Sequence, residues 1–138
     1  MAHWLFKSEP ATWSWDQQVA AGEGGTDWNG VRNHLAKQQM MAMRVGERRL
    51  FYHSHQGKAA VGTVEVIRPY YPDHTDASGR FGMVDLRAVE ALPRPVSLDA
   101  IKAEPGLKEM VLVNNARLSV QPVTEAEWRL VRAMGGLG

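Results

Sequence analysis

The spacing of apolar and polar positions predicts short strands mixed with short helices. Residues 3–7 alternate weakly and predict a first strand. Residues 12–21 predict a short helix, with Thr12 as a possible N-cap and Gly22 as its stop. A flexible stretch, Glu23-Gly24-Gly25-Thr26-Asp27, leads into Trp28. Asn33 is placed to cap a helix running to about Met43, with Leu35, Met40 and Met43 on or near one side and Gly46 ending it.

Three strands are predicted next, over 49–54, 59–68 and 81–92, with a hairpin-like turn at Gln56-Gly57-Lys58. A longer loop over 69–79 is rich in Tyr, Pro, Asp and Gly. Ser97 caps a predicted helix to Ala103, Pro105 opens a short turn, and 118–123 forms a last strand. Thr124 with Glu127 makes a capping box for a final helix to about Met134. These elements do not alternate as βαβ units. They predict an α+β fold whose twisted sheet curls toward a barrel with helices around it, in a single domain over 1–138.

Composition narrows the function more than the fold. Hydrophobic residues make up 44% and charged residues 22%, ordinary for a globular protein, and no apolar run reaches the ~18 residues of a membrane span. The absence of cysteine excludes disulfides, thiolate metal sites and a cysteine nucleophile, and it fits a reducing compartment. With no signal-like N-terminus, the expected location is cytoplasmic. Net charge is +1, but it is unevenly spread. Residues 32 to 68 hold Arg32, Lys37, Arg44, Arg48, Arg49, Lys58 and Arg68 against Glu47 and Glu65, which is +5 and leaves −4 elsewhere. Such a basic third can hold a short stretch of nucleic-acid backbone or be a solvated face.

The segment Trp28-Asn29-Gly30-Val31-Arg32-Asn33 sets an aromatic ring, amides and a guanidinium around a glycine. That combination suits a planar polar ring: Trp28 offers a face to stack on, and the Asn33 amide suits a base edge unless its oxygen caps the helix. Lys7, Ser8 and Glu9 end the first strand, where ligand groups tend to sit, or form a plain turn before Pro10. Glu9 is placed to accept from an exocyclic amine or to pair with Arg32. Along Tyr52-His53-Ser54-His55, alternation puts Tyr52 and Ser54 on one face and the histidines on the other. His-x-His can ligate zinc, with Asp73 and His74 as further donors, but the expectation for His53 is a hydrogen bond that fixes its tautomer. Trp4, Trp13, Trp15 and Trp128 are expected in the core, Trp15 nearer a pocket than the others, and Tyr70-Tyr71-Pro72-Asp73 could wall one or be an ordinary turn. No serine sits in a nucleophile elbow and no carboxylate pair has a telling spacing.

Together, Trp4-Leu5-Phe6-Lys7-Ser8-Glu9-Pro10, Trp13-Ser14-Trp15, the 28–33 segment, Met40 to Met43, Leu50-Phe51-Tyr52-His53-Ser54 and Tyr71-Pro72-Asp73 resemble the EVE domain, a PUA-like family. Weaker matches are Pro95-Val96-Ser97-Leu98 and Arg117-Leu118-Ser119-Val120 with Pro122-Val123. The resemblance implies a PUA-like β-barrel of about five to six strands with flanking helices, related to YTH and ASCH domains. It implies a non-catalytic module that recognises a modified base in DNA or RNA, with no cofactor and no metal. Carried onto this chain, the pocket would involve Ser8, Trp28, Asn33, Tyr52 and Ser54, with Lys7, Arg32 and His53 nearby; Glu9 and Asp73 join them as candidate ligand residues on the reading of the residues themselves. Arg44, Arg48 and Arg49 are expected at the nucleic-acid backbone. YTH domains enclose the base in an aromatic cage. Arg80-Phe81-Gly82-Met83 carries no Trp, so Phe81 or Tyr71 would have to complete one here. Two other readings stay open: a small-molecule or protein-interaction module, and an enzyme on modified nucleotides using Asp73 or Glu9 as base.

Overall fold

Two strands in the middle of the sheet are buried on both faces, and this organises the molecule. In β1 (His3–Ser8), Trp4 and Phe6 enter one core while Leu5 enters another. In β3 (Arg48–His53), Phe51 joins the first core, and Leu50 and Tyr52 join the second. Side chains alternate across a strand, so residues two apart share a face. Burial of both faces explains why each strand carries three consecutive apolar residues, Trp4-Leu5-Phe6 and Leu50-Phe51-Tyr52, instead of strict alternation.

The computed structural model describes residues 3–115 and 117–137. Besides β1 and β3 it contains α1 (Trp15–Ala20), β2 (Thr26–Asp27), α2 (His34–Met41), β4 (Ala59–Pro72), β5 (Gly82–Ser97), α3 (Leu98–Ala103), α4 (Val111–Asn114), β6 (Val120–Val123) and α5 (Glu125–Met134). The strands form one mixed sheet in the order β2-β5-β4-β3-β1-β6. β1 and β3 run parallel, with Trp4 opposite Arg49 and Ser8 opposite His53. The other pairings are antiparallel. Residues of α1 and α2 pack on the first core, and residues of α3, α4 and α5 on the second.

The α+β class with flanking helices is as expected, but the closed barrel is not. The ladder is open: β2 and β6 are its edges, and no pairing joins them among the described residues. Edges of two and four residues offer few hydrogen bonds with which to close a ring. Curvature comes instead from the long β4–β5 hairpin, whose register shifts at Ala60/Gly62, Thr63/Val64, Val66/Arg68 and Arg68/Tyr71. Such bulges bend a strand and increase its twist.

Capping chemistry explains where the helices begin. Ser14, not Thr12, caps α1, through a capping box with Gln17. Asn33, Ser97 and Thr124 cap α2, α3 and α5 as their spacing predicts. No helix among the described residues is long and apolar enough to cross a membrane.

Candidate functional site

A cleft of about 670 Å³ opens where β1 runs out into Glu9 and meets the chain from Thr26 to Arg32. Its floor and walls include Lys7, Ser8, Trp13, Asp27, Trp28 and Asn29, with Ser119 beside β1. The β1 side is held by local backbone bonds. Ser54 N–H donates to the Ser8 carbonyl at 2.9 Å, Lys7 N–H donates to the Ser119 carbonyl at 2.9 Å, and the Ser8 hydroxyl donates to the Trp13 carbonyl.

The opposite wall is held by one buried carboxylate. Asp73 accepts from Gly30 N–H at 2.8 Å and Arg32 Nη1 at 3.0 Å on one oxygen. Its other oxygen accepts from Thr75 N–H at 2.7 Å and the Thr75 hydroxyl at 2.6 Å. Burial alone would raise its pKa, but these donors, led by Thr75 and the Gly30 N–H, hold it down to about 2. Gly30 has φ +85°, a left-handed conformation that side chains rarely adopt, which turns its N–H toward Asp73. Trp28 N–H donates to the Val84 carbonyl at 2.8 Å, pinning the start of the same loop to β5.

Trp28 lies at the boundary between cleft and core. It is 9% exposed and meets Phe6 and Phe51 edge-on at 5.1 and 5.7 Å. Around it the cleft balances its charges. Lys7 and Arg32 face Glu9 and Asp27. Lys7 Nζ sits 5.9 Å from the Tyr52 ring centroid, and burial lowers its pKa. Asp27 accepts from Asn29 Nδ2 at 3.3 Å and lies 3.4 Å from His74 Nδ1, keeping its carboxylate in the cleft wall. Glu9 pairs with His55 at 2.9 Å, not with Arg32. Aromatic surface, a carboxylate acceptor and cationic donors side by side suit a planar heterocycle with a polar edge.

The EVE domain family model matches residues 2–134. The chain belongs to the EVE domain family. Thymocyte nuclear protein 1 of Gallus gallus is 34% identical over 96% of this chain and 68% of its own. The crystal structure of protein Atu2648 from Agrobacterium tumefaciens is similar at TM-score 0.97 and 51% identity, over 99% of this chain and 94% of that one. Human THYN1, solved in complex with 5-methylcytosine containing DNA, is similar at TM-score 0.93 and 31% identity, over 99% of this chain and 98% of that one.

Within this EVE domain, sequence reasoning placed Lys7, Ser8, Glu9, Trp28 and Arg32 where the cleft lies. Four other expectations are corrected. Asn33 is exposed and its Oδ1 accepts from Ala36 N–H at 3.0 Å, so capping occupies the oxygen a base edge would need. Tyr52 belongs to the second core, on the face of β3 opposite Phe51, and reaches the cleft only through Lys7. Ser54 contributes its backbone N–H to Ser8 rather than a side chain to the cleft. Asp73 braces the wall from behind and is not a base: four donors surround its carboxylate.

His53 is fixed as expected, its Nε2 accepting from Trp15 N–H at 3.0 Å, and burial lowers its pKa against the opposing pull of Asp16. No cluster of three His, Asp or Glu side chains suited to a metal occurs among the described residues. Trp13, Asp27, Asn29 and Ser119 were missed as lining residues. Of these, Asp27 alone had a usable signal, as an acid directly before an aromatic in a glycine-rich approach.

The three backbone-contact arginines stand elsewhere. Arg49 is fully buried, paired with Glu47 at 2.9 Å, donating to the Arg48 carbonyl at 2.6 Å and lying 5.4 Å from the Trp4 ring. Burial lowers its pKa to about 10 despite Glu47. It cannot meet a phosphate without leaving the core. Arg48 and Arg44 are more accessible but do not line the cleft.

Proposed function

We propose that this EVE domain is a non-catalytic module that binds a modified nucleobase, with 5-methylcytosine in DNA as the leading ligand. The observation that carries this reading is the complex of human THYN1 with 5-methylcytosine containing DNA, a protein whose fold matches this one over 99% of the chain. The chemistry of the cleft supports it independently. An unpaired or flipped base would enter between β1 and the 26–32 loop, at a cost of roughly a few kcal/mol to leave its stack. Trp28 and Trp13 offer apolar surface for its ring. Asp27 accepts from the exocyclic amine of cytosine, and Lys7 serves the ring carbonyl as donor.

A carboxylate in that position disfavours thymine, which presents a carbonyl oxygen where cytosine presents an amine. Asp27→Asn is therefore expected to narrow the preference for a methylated cytosine over thymine by about 1–3 kcal/mol. The test is fluorescence titration of the protein with short oligonucleotides identical except for one base, carrying cytosine, 5-methylcytosine or thymine. Selective quenching by 5-methylcytosine, with the margin over thymine reduced in Asp27→Asn, supports the reading. Equal response to all three bases would reduce the protein to a general nucleic-acid binder. No response at all would favour a small-molecule or protein partner.

A further inference from the structure

The geometry points to a phosphate-binding rim made by Arg32, His34, Lys37 and Arg80 around Phe81, which holds the nucleic-acid backbone beside the cleft. This rests on the base-binding reading above and adds to it where the strand runs.

Most cations of the basic third stand too far from the cleft to serve. A base seated in the cleft has its own phosphates within a nucleotide or so, and successive phosphates of a strand advance about 3.4 Å along a duplex. Trp4 stands opposite Arg49, and Ser8 opposite His53. Arg49 thus lies four strand positions from the cleft end of β1, about 13 Å at ~3.3 Å per residue, and Arg48 one position further. Arg44 follows the C-terminal end of α2, a helix of eight residues and so about 12 Å long, whose N-terminal end adjoins Arg32. The arginines that make the sequence look basic are a helix or strand length from the base.

The rim is adjacent instead. Arg32 lines the cleft, and its guanidinium carbon lies 5.8 Å from the Phe81 ring centroid. Lys37 Nζ lies 5.8 Å from the same ring, and the His34 ring 5.1 Å. One half-buried phenylalanine thus gathers three basic side chains from the loop and the first turn of α2. Arg80, its chain neighbour, is exposed. Asp73 orients Arg32 through Nη1, and Thr75 Oγ1 accepts from Nη2 at 2.9 Å, so the guanidinium is held before any ligand arrives. The acids of the adjoining loop are engaged inwardly. Asp73 is buried, and Asp76 accepts from the N–H groups of Ser78 and Phe81 and from the Ser78 hydroxyl. Lys37 and Arg80 form no ion pair among the described residues. Arg32 held in place by Asp73, with Lys37 and Arg80 outside that pair and beside a ligand cleft, suits phosphodiester oxygens.

The experiment measures affinity for one methylated and one unmethylated oligonucleotide across a salt series. It compares the intact protein with Lys37→Gln/Arg80→Gln and with Arg44→Gln/Arg48→Gln. Loss of two phosphate contacts should lower the slope of log affinity against log salt by about 1.4 for a single strand or 1.8 for a duplex. The drop is expected in the first variant, equally for both oligonucleotides, with their affinity ratio unchanged. The second variant should keep the original slope. Charge reversal at Arg80→Glu alone should weaken both complexes further than Arg80→Gln, and a thermal melt confirms each variant folded. An unchanged slope in the first variant, or a larger drop in the second, overturns the rim while leaving the base reading intact. Failure of the intact protein to bind either oligonucleotide overturns both.

Discussion

Replacing Asp73 by Asn removes one charge and one acceptor from a carboxylate that four donors share. Asn retains a single oxygen, and its NH2 group must face either Gly30 N–H and Arg32 or the two Thr75 donors. At least two part-buried donors lose their acceptor and the Arg32 guanidinium loses its counter-charge, but Gly30, Arg32 and Thr75 all reach solvent, where water takes up part of the loss. A destabilisation of about 2 kcal/mol follows, which in a chain of this size is a fall of roughly 6–8 °C in Tm. The same carboxylate links stability to pH. Its pKa drops from an ordinary 3.8 to about 2 on folding. The folded state therefore binds the proton less readily than the unfolded chain. The resulting stabilisation, about 2 kcal/mol, is complete above pH 4 and is lost as pH falls toward 2. Thermal melts of both proteins from pH 7 to pH 2 should show a large gap that narrows across the acid window. A variant melting within 3 °C of the parent at pH 7, or a gap that stays constant to pH 2, would refute the role of Asp73 as the brace of the cleft wall.

Trp28→Ala removes a ring that two phenylalanines pack against and is expected to cost about 3–5 kcal/mol, so a loss of binding in that variant would not isolate a ligand contact. Trp28→Phe keeps an aromatic in the core and is expected to weaken the 5-methylcytosine oligonucleotide roughly fivefold by titration, as part of the ~1–3 kcal/mol of base stacking is lost. His53 accepts from Trp15 N–H only as a neutral ring, and burial lowers its pKa. Its contribution is therefore complete above its unfolded value near 6.5 and declines as pH drops below that, so melts between pH 7.5 and pH 5 should fall less steeply for His53→Gln, whose amide oxygen accepts without titrating.

The elements that could be read locally were legible, and those set by distant contacts were not. Asn33, Ser97 and Thr124 are caps because an oxygen one position before a helix satisfies its first N–H groups, a rule that needs only neighbours. β2 is two residues long and exists only because Thr26 and Asp27 pair with Leu86 and Asp85. Pro69 and Pro72 look like loop residues, yet β4 runs to Pro72. The register shifts between Val66 and Tyr71 accommodate residues that cannot donate to a regular ladder. The site divides along the same line. Trp28, Arg32 and the end of β1 announce themselves by residue type. Asn33 and Arg49 misled because each carries the right group for a ligand and uses it within the fold. For Arg49 the cue was present: Glu47, two positions earlier, shares its side of the chain, so the pair can be satisfied in place. The brace at Asp73 had only half such a cue, in Thr75 two positions later. Its other donors, Gly30 and Arg32, lie some 40 residues back, and only the β4–β5 hairpin brings them to it. A cleft wall assembled from such long-range bonds holds its shape without the ligand, and this lets a short loop rather than a strand carry the aromatic surface for a base.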